Sequence, residues 1–263
     1  MTEALVQYEI RDRAAIVTLN RPDRRNALSR GLIAAIRQAV DRAAADDQVR
    51  AVILTGAGTV FCAGMDLAEL QETIEHKADS ETIWNDALTL ATLYDRLYTL
   101  PKPTIAAVNG AAVAGGAGLV TVCDLAVAAP SAKFGYPEVR RGLVAAMVMP
   151  HLLRHVGERC ARYLLLTGEL IDADEAQRRG LINAVTPAEQ LLEQALSWSR
   201  SLADGGPNAL ALTKKMLHQF SHQALSIAEA AQASAAPRLT EECRHGLQAF
   251  FAKRPAPWQE SPG

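Results

Sequence analysis

Residues 104–122 read TIAAVNGAAVAGGAGLVTV, and this stretch contains a complete change from strand to helix. Thr104 to Val108 is a short apolar run, the pattern of a buried strand. Asn109-Gly110 ends the run, and the glycine-rich residues 114–118 lead into a helical pattern at 119–122. Glycine lets a backbone approach a ligand closely, and the first turn of a helix has N–H groups without partners inside the helix. The stretch therefore predicts a turn whose backbone can bind a polar ligand atom.

A second turn of the same kind lies earlier in the chain. Residues 51–54 form another buried apolar run, and the short run Val60-Phe61-Cys62 leads into Ala63-Gly64-Met65-Asp66. Two such turns can aim N–H groups at one oxygen atom, which is the arrangement of an oxyanion hole. Neither turn continues into the signature of a phosphate loop or of a dinucleotide fold. Glycine also makes ordinary turns, so for either turn alone a structural role stays open.

A single glutamate follows a proline in the third segment of interest, Ala132-Lys133-Phe134-Gly135-Tyr136-Pro137-Glu138. Glu138 is expected at the start of a helix. One interpretation is a first-turn residue that interacts favourably with the helix dipole. The other is a general acid/base that faces a cleft. The local pattern leaves both open.

Strand and helix patterns alternate up to about residue 140, which favours an α/β core with parallel strands. After that point the patterns are nearly all helical, at 141–155, 158–166 and 173–179, with a brief extended piece at 181–185. Helices continue after residue 187 and are broken near 204–207. We therefore expect a core of residues 1–200 and a helical C-terminal region of residues 201–263.

Composition excludes several functional classes for this 263-residue chain. Its formal net charge of −2 is unlike that of a strongly basic nucleic-acid-binding protein. No apolar run has the length of a membrane span, and the first residues lack the pattern of an export signal. The four cysteines are scattered and form no CxxC pair, so neither a zinc site nor a disulfide framework is expected. These features favour a cytoplasmic protein with reduced thiols and no bound metal.

Read in chain order, these segments resemble the enoyl-CoA hydratase/isomerase family, also called the crotonase family. The resemblance covers the whole chain, and its specificity lies in the ordered set of motifs rather than in any one of them. The set consists of Asn20-Arg21-Pro22, Asn26-Ala27-Leu28, Leu54-Thr55-Gly56, the two turns at 61–66 and 101–118, Cys123-Asp124, residues 132–138, Leu166-Thr167-Gly168 and residues 250–254.

The resemblance implies a fold and an assembly. The fold is the α/β crotonase-like spiral of repeated ββα units, with residues 1–200 as the acyl-CoA-binding catalytic core. Residues 201–263 correspond to the helical region through which the family forms trimers, often stacked as hexamers. The expected partners are therefore an acyl-CoA substrate and further copies of the chain, with no nucleic acid and no membrane.

The resemblance also implies the site residues. Met65 and Gly115 correspond to the two backbone N–H donors of the oxyanion hole, and Glu138 corresponds to a catalytic carboxylate. No metal and no permanently bound cofactor are implied, because coenzyme A arrives as part of the thioester substrate. The residues implied in coenzyme A binding are Arg24, Asn26, Ala27, Ala63, Met65, Asp66, Leu67 and, in a neighbouring subunit, Lys253.

One position departs from the family pattern. Hydratases of this family commonly have a second glutamate three residues after the second oxyanion glycine, and this chain has Gly118 there. The motifs are closest to those of single-glutamate bacterial enoyl-CoA hydratases of the methylglutaconyl-CoA type. Arg140 or Arg141 could bind the acidic acyl tail of such a substrate, or both could be surface residues.

We therefore predict an enoyl-CoA hydratase that uses Glu138 as its single carboxylate. Two alternatives stay open. The first is an enoyl-CoA isomerase that moves a double bond between positions 3 and 2, which needs one carboxylate. The second is an acyl-CoA-binding protein without turnover.

Overall fold

A computed structural model describes residues 4–75, 80–221, 240–243, 245, 249 and 252–258. The strands of this part of the chain are β1 (Val6–Arg11), β2 (Ala14–Leu19), β3 (Ala51–Gly56), β4 (Val60–Cys62), β5 (Thr104–Val108), β6 (Ala111–Val113), β7 (Leu125–Ala128), β8 (Lys133–Gly135), β9 (Ile171–Asp172) and β10 (Ala184–Val185). Its α-helices are α1 (Arg30–Ala45), α2 (Leu67–Glu75), α3 (Ser80–Tyr98), α4 (Gly115–Thr121), α5 (Met149–Thr167), α6 (Ala173–Arg178), α7 (Leu191–Ala203) and α8 (Pro207–Phe220). Short 3₁₀ helices lie at Pro22–Arg24, Pro137–Arg141 and Ala188–Gln190.

The described strands form a large sheet, in the order β1-β2-β3-β5-β7-β10, and a small sheet, in the order β4-β6-β8-β9. Neighbouring strands are parallel except for β1 with β2 and β8 with β9. The chain alternates between the sheets, because β3 leads into β4, β5 into β6 and β7 into β8. A helical segment follows each of these pairs. The predicted spiral of ββα units is therefore confirmed.

The large sheet is covered on both faces, which explains why its central strands are continuous apolar runs. One face contributes Val17 and Leu54 to the main core, which also contains the apolar side of α1. The opposite face packs Ile53 and Ile105 against Leu196 of α7.

Local side-chain contacts fix the ends of the elements around this core. The Leu32 N–H donates to Ser29 Oγ at 3.1 Å, so Ser29 is the N-cap of α1 as its sequence position indicates. The Asp124 carboxylate accepts from Thr104 N–H at 2.7 Å and lies 2.6 Å from Lys214 Nζ. Asp124 therefore joins the first residue of β5 to α8.

The predicted helix at 141–155 is wrong over its first half. The 3₁₀ helix Pro137–Arg141 ends at Gly142, whose φ of +69° ends the helical path, and α5 begins only at Met149 with Pro150 in its first turn. The helical pattern at 158–166 belongs to the same α5, which bends at Gly157. Strands β6, β8 and β9 were not predicted because runs of two or three residues contain no periodicity.

The C-terminal region is described only in part. The boundary expected at residue 200 falls within α7, and the division into two regions stays a prediction. Residues 222–239 and the aromatic pair Phe250-Phe251 of the C-terminal motif lie outside the described residues. None of the described helices is both long and apolar enough to cross a membrane.

The tight contact between α4 and β4 predicts a large effect of one methyl group. A β-carbon at Gly116 would lie 2.1 Å from the Cys62 carbonyl oxygen, which belongs to backbone and cannot rotate away. We expect Gly116→Ala to lower the free energy of unfolding by about 3 kcal/mol or more, since it overpacks the core. Chemical denaturation measures this change.

Gly31→Ala is the matched control, because Gly31 also lies in the first turn of a helix. Its β-carbon would meet only the flexible end of Leu5, at 3.0 Å. Its effect should stay within about 1 kcal/mol, the range of helix propensity. Equal effects of the two substitutions would contradict the inferred contact.

Candidate active site

One cavity brings together the three residues expected to carry the chemistry. Met65, Gly115 and Glu138 all line a cavity of about 170 Å³. Its walls are otherwise mostly apolar, and they include Leu67, Leu90, Val113, Leu143, Val144, Ala145, Ala146, Met147 and Val148. Glu138 and the two turns therefore meet at one cavity, whose lining contains few other polar groups.

The first turn holds Met65 between two backbone hydrogen bonds. Leu28 N–H donates to the Gly64 carbonyl at 2.7 Å, and Asp66 N–H donates to the Leu28 carbonyl at 3.1 Å. Gly64 has a φ of +91°, and a β-carbon there would lie 2.8 Å from the Val113 carbonyl oxygen. Only glycine fits this position, since both the dihedral angle and the space exclude a side chain.

The second turn presents the first residue of α4. Ala114 precedes it with φ +52° and ψ −123°, a conformation that is strained for a residue with a side chain. The turn is held by the bond from Ala114 N–H to the Gly135 carbonyl, at 2.8 Å, and by the bond from Tyr94 Oη to the Gly115 carbonyl, at 2.7 Å. These bonds hold the turn in place, and Gly115 lines the cavity.

The Met65 and Gly115 amides both keep their donor capacity. Within the described part of the chain, no oxygen accepts a hydrogen bond from either N–H group. Preorganised N–H donors of this kind stabilise negative charge that develops on an oxygen atom during a reaction. Two such donors line one cavity, as an oxyanion hole requires, and their use as an oxyanion hole stays a prediction.

Glu138 is half-buried on the 3₁₀ helix Pro137–Arg141. Its Oε2 atom is buried and has no hydrogen-bond partner among the described residues. Burial raises the pKa of the Glu138 carboxyl, and its own backbone N–H and the Arg141 guanidinium offset only part of that rise. A carboxyl group with a raised pKa and an unused oxygen can both accept and return a proton.

The place of the second family glutamate is filled by other side chains. A β-carbon at Gly118 would lie 2.4 Å from Val148 Cγ1 and 2.7 Å from Tyr94 Oη. No side chain of any kind fits there without moving these two residues. The packing of this site therefore excludes a carboxylate side chain at position 118.

Tyr94 is a site residue that the sequence analysis missed. It is only 2% exposed, and it lines the cavity together with Glu138. Burial raises the pKa of the Tyr94 phenol well above its ordinary value, and the charges of Cys62 and Glu138 add to the effect. In sequence, Tyr94 lies on the same helical face as Leu90 and Leu97, a spacing that indicates core packing and nothing more.

Among the residues expected to bind coenzyme A, three line the cavity: Ala63, Met65 and Leu67. Asn26 does not present its side chain to a ligand. It is fully buried, accepts from Arg21 N–H at 2.8 Å, and donates to the carbonyls of Ala57 and Val60. Its side chain therefore holds the loop in shape.

Arg21, which had no role in the sequence analysis, connects the two segments expected to hold coenzyme A. Its guanidinium donates to the Ala27 carbonyl at 2.7 Å and to the Asp66 carboxylate at 3.0 Å. Asp66 also accepts from Ala68 N–H at 3.1 Å, which makes it the cap of α2. The Asp66 side chain is thereby occupied within the protein.

Arg24 and Lys253 are both exposed, and neither lines the cavity.

The two neighbouring arginines after Glu138 differ from each other. Arg141 lines the cavity, whereas Arg140 lies outside it and donates from Nε to the Thr167 carbonyl at 3.2 Å. The described residues contain no cluster of three or more histidine, cysteine or acidic side chains able to hold a metal ion.

The chain is similar to known proteins over nearly its full length. The family model described as Enoyl-CoA hydratase/isomerase matches residues 9–261. A Thermus thermophilus protein, provisionally named an enoyl-CoA hydratase, is 46% identical over 95% of this chain and 99% of its own length. The 2,3-dehydroadipyl-CoA hydratase of Escherichia coli is 36% identical over 97% of each chain. The crystal structure of an enoyl-CoA hydratase from Shewanella pealeana has a TM-score of 0.91 at 31% identity and covers 97% of this chain and 96% of its own.

The raised pKa of Glu138 predicts a pH-dependent effect of its removal on stability. Between the ordinary carboxyl value of 4.5 and the higher folded-state pKa, the folded chain binds more protons than the unfolded chain. Its stability therefore falls as the pH rises through this window. Glutamine does not titrate, so the Glu138→Gln variant lacks this loss of stability. The melting temperature of the variant minus that of the native chain should therefore increase as the pH is raised from about 4 to about 8. Scanning fluorimetry measures this, and a pH-independent difference would contradict the assigned pKa shift.

Proposed function

The chain belongs to the enoyl-CoA hydratase/isomerase family, and from that membership we propose that it is a hydratase with a single catalytic glutamate. It adds water reversibly to a 2-enoyl-CoA thioester. The observation that carries this proposal is the unpartnered Oε2 atom of Glu138 in the same cavity as the two free amides of Met65 and Gly115.

The reaction follows from the roles of these groups. The thioester oxygen accepts hydrogen bonds from the N–H groups of Met65 and Gly115. The Glu138 carboxylate takes a proton from water, and the water oxygen bonds to C3. The π electrons of the C2–C3 double bond move towards the thioester, whose oxygen takes the negative charge. The Glu138 carboxylic acid then returns its proton to C2, which yields the 3-hydroxyacyl thioester and restores the carboxylate.

One carboxylate can perform both transfers because they are sequential and occur on one face of the double bond. The same group is the base in the first transfer and the acid in the second. A pKa above that of an ordinary carboxyl group, and closer to the pH of the reaction, suits both roles. Burial in the cavity moves the pKa of Glu138 in that direction.

Coenzyme A is proposed to cross the turn at residues 24–28 and the segment 63–67. Support comes from Arg21, which fixes these two segments against each other through Ala27 and Asp66. Because the side chains of Asn26 and Asp66 are occupied, they act by shaping the loop, and contacts to the ligand come from backbone. Arg24 is exposed and available for a phosphate. Lys253 would contribute from a neighbouring subunit.

The proposed substrates are short, branched 2-enoyl thioesters of the methylglutaconyl-CoA type, whose acyl chain ends in a free carboxylate. Support comes from Arg141, which lines an otherwise largely apolar cavity. Among the described residues it forms no ion pair within 4 Å, and its one hydrogen bond is a long one, of 3.4 Å, to the Pro137 carbonyl. Among the relatives, the Escherichia coli hydratase is named for a dehydroadipyl group, which also ends in a carboxylate. A guanidinium that keeps most of its donors unused is suited to bind such a group by two parallel hydrogen bonds.

The assembly and the location stay predictions from the family and the sequence. A homotrimer, or a hexamer of two trimers, is proposed, with the C-terminal region as its contact. A cytoplasmic location is proposed from the cysteines, all four of which are unpaired. The place of the reaction in fatty acid metabolism rests on the same family resemblance.

Removal of the carboxylate tests the hydratase directly. Glu138→Gln keeps the shape of the side chain and loses the proton transfer, so we expect hydration of crotonyl-CoA to fall about 100-fold to 10,000-fold. The ultraviolet absorbance of the conjugated thioester reports the rate. Glu189→Gln, an exposed glutamate outside the cavity, is the control and should keep full activity.

Other outcomes decide between the alternatives. Gain of absorbance from a 3-enoyl-CoA without hydration of any 2-enoyl-CoA would identify an isomerase. Tight acyl-CoA binding without turnover of any thioester would identify a binding protein. Full hydration activity in Glu138→Gln would refute the role of the carboxylate.

The two arginines provide a matched pair for the substrate class. We expect Arg141→Met to lower kcat/KM for methylglutaconyl-CoA about 10-fold to 100-fold, which corresponds to the loss of a charge-assisted hydrogen bond. The kcat/KM for crotonyl-CoA, which has no such carboxylate, should change by less than about threefold. Both substrates are assayed at the same pH, so that a change in the ionisation of Glu138 affects both alike and leaves the ratio of their kcat/KM values unchanged. Arg140→Met should leave kcat/KM unchanged for both substrates. Equal losses for both substrates in Arg141→Met would show that Arg141 does not bind the acyl carboxylate.

A further inference from the structure

The hydroxyl group of Tyr94 lies beside Gly118, at the point where the side chain of a second glutamate would begin. The β-carbon that Gly118 lacks would lie 2.7 Å from Tyr94 Oη and 2.8 Å from Tyr94 Cζ. Tyr94 comes from α3, a different element from α4, and its side chain takes up the space beside Gly118. It lines the same cavity as Glu138.

The hydrogen bonds of this hydroxyl leave it with acceptor capacity. Its one proton is donated to the Gly115 carbonyl at 2.7 Å. A phenolic oxygen that donates its proton still has lone pairs for an incoming donor. The raised pKa of Tyr94 keeps the proton in place, so the group acts as a fixed acceptor and takes no part in proton transfer.

We propose that Tyr94 Oη binds the attacking water together with Glu138 and so replaces the missing second glutamate. This inference rests on the proposed hydratase function. The water donates one hydrogen to Tyr94 Oη and the other to the Glu138 carboxylate. These two bonds orient a lone pair of the water oxygen towards C3.

The proton balance is unchanged by this assignment. Glu138 removes the proton that it accepts in the hydrogen bond, and the water oxygen forms its bond to C3. The hydrogen bonded to Tyr94 stays on that oxygen and becomes the hydrogen of the 3-hydroxyl group. The tyrosine neither gains nor loses a proton, and its bond to the Gly115 carbonyl persists through the step.

The first variant removes only the oxygen atom. Tyr94→Phe keeps the ring, and we expect kcat for crotonyl-CoA hydration to fall about 100-fold with KM within about threefold, because the bond to the attacking water and the bond to the Gly115 carbonyl are both used in the chemical step. Tyr98→Phe is the control. It removes a phenol one turn further along α3, where the hydroxyl bonds with Arg154 outside the cavity, and it should leave kcat unchanged.

A second variant separates water binding from a structural role and preserves packing. Site-specific 3-fluorotyrosine at position 94 makes the phenol a stronger donor to the Gly115 carbonyl and a weaker acceptor for water. The proposal predicts that kcat falls by a factor of about two or more, since acceptor strength is what the step uses. A purely structural role through Gly115 predicts an unchanged or increased kcat.

The outcomes separate this inference from the function on which it rests. Hydration by the wild-type chain with undiminished kcat in Tyr94→Phe would overturn the inference alone. An unchanged or higher kcat with 3-fluorotyrosine would overturn it in favour of the structural role. Absence of hydration in the wild-type chain would refute the proposed function and this assignment together.

Discussion

The close backbone packing of two strand-to-helix turns is the constraint on which the rest of the structure depends. Strands β4 and β6 are parallel neighbours, with Cys62 opposite Ala112, so the turns that follow them lie side by side. Their contact leaves no room for a β-carbon at Gly64 or Gly116. The strained backbone of Ala114 persists because the surrounding sheet and helix determine its position. This packing, together with the hydrogen bond from Tyr94 Oη to the Gly115 carbonyl, places Met65 and Gly115 in the lining of one cavity.

The spiral extends this arrangement by one further repeat. Strand β8 pairs in parallel with β6 on the side away from β4, and Pro137–Arg141 follows it at the same end of the small sheet. Successive repeats therefore contribute Met65, Gly115 and Glu138 in turn, each just after the carboxyl end of a strand. The apolar cavity that strengthens the two amide donors also makes the charged form of Glu138 costly, which is the cause of its raised pKa. The proposed stabilisation of an oxyanion and the raised pKa of the carboxyl group thus both depend on the same burial.

Much of this could be predicted from sequence because it depends on local patterns. The apolar runs of β3, β5 and β7 predicted the parallel core. Ser29 indicated the start of α1, and the glycines predicted the two turns. What could not be predicted depends on contacts between distant segments. The place of Tyr94 in the cavity depends on the absence of a side chain at Gly118, and no periodicity in α3 distinguishes Tyr94 from a core residue. The difference between Arg140 and Arg141 depends on the 3₁₀ helix and on Gly142, where the sequence pattern predicted a continuous helix. The burial of Asn26 depends on carbonyl groups more than 30 residues away in the chain.

The central claim is that one carboxylate of raised pKa performs both proton transfers, and the pH dependence of kcat/KM for the hydration of crotonyl-CoA tests it most directly. A single base that must be ionised predicts one ascending limb, with a midpoint above the ordinary carboxyl value of 4.5, followed by a plateau through neutral pH. A bell-shaped profile that descends again in the neutral range would show that a second group must be protonated in the free enzyme, and it would contradict the account.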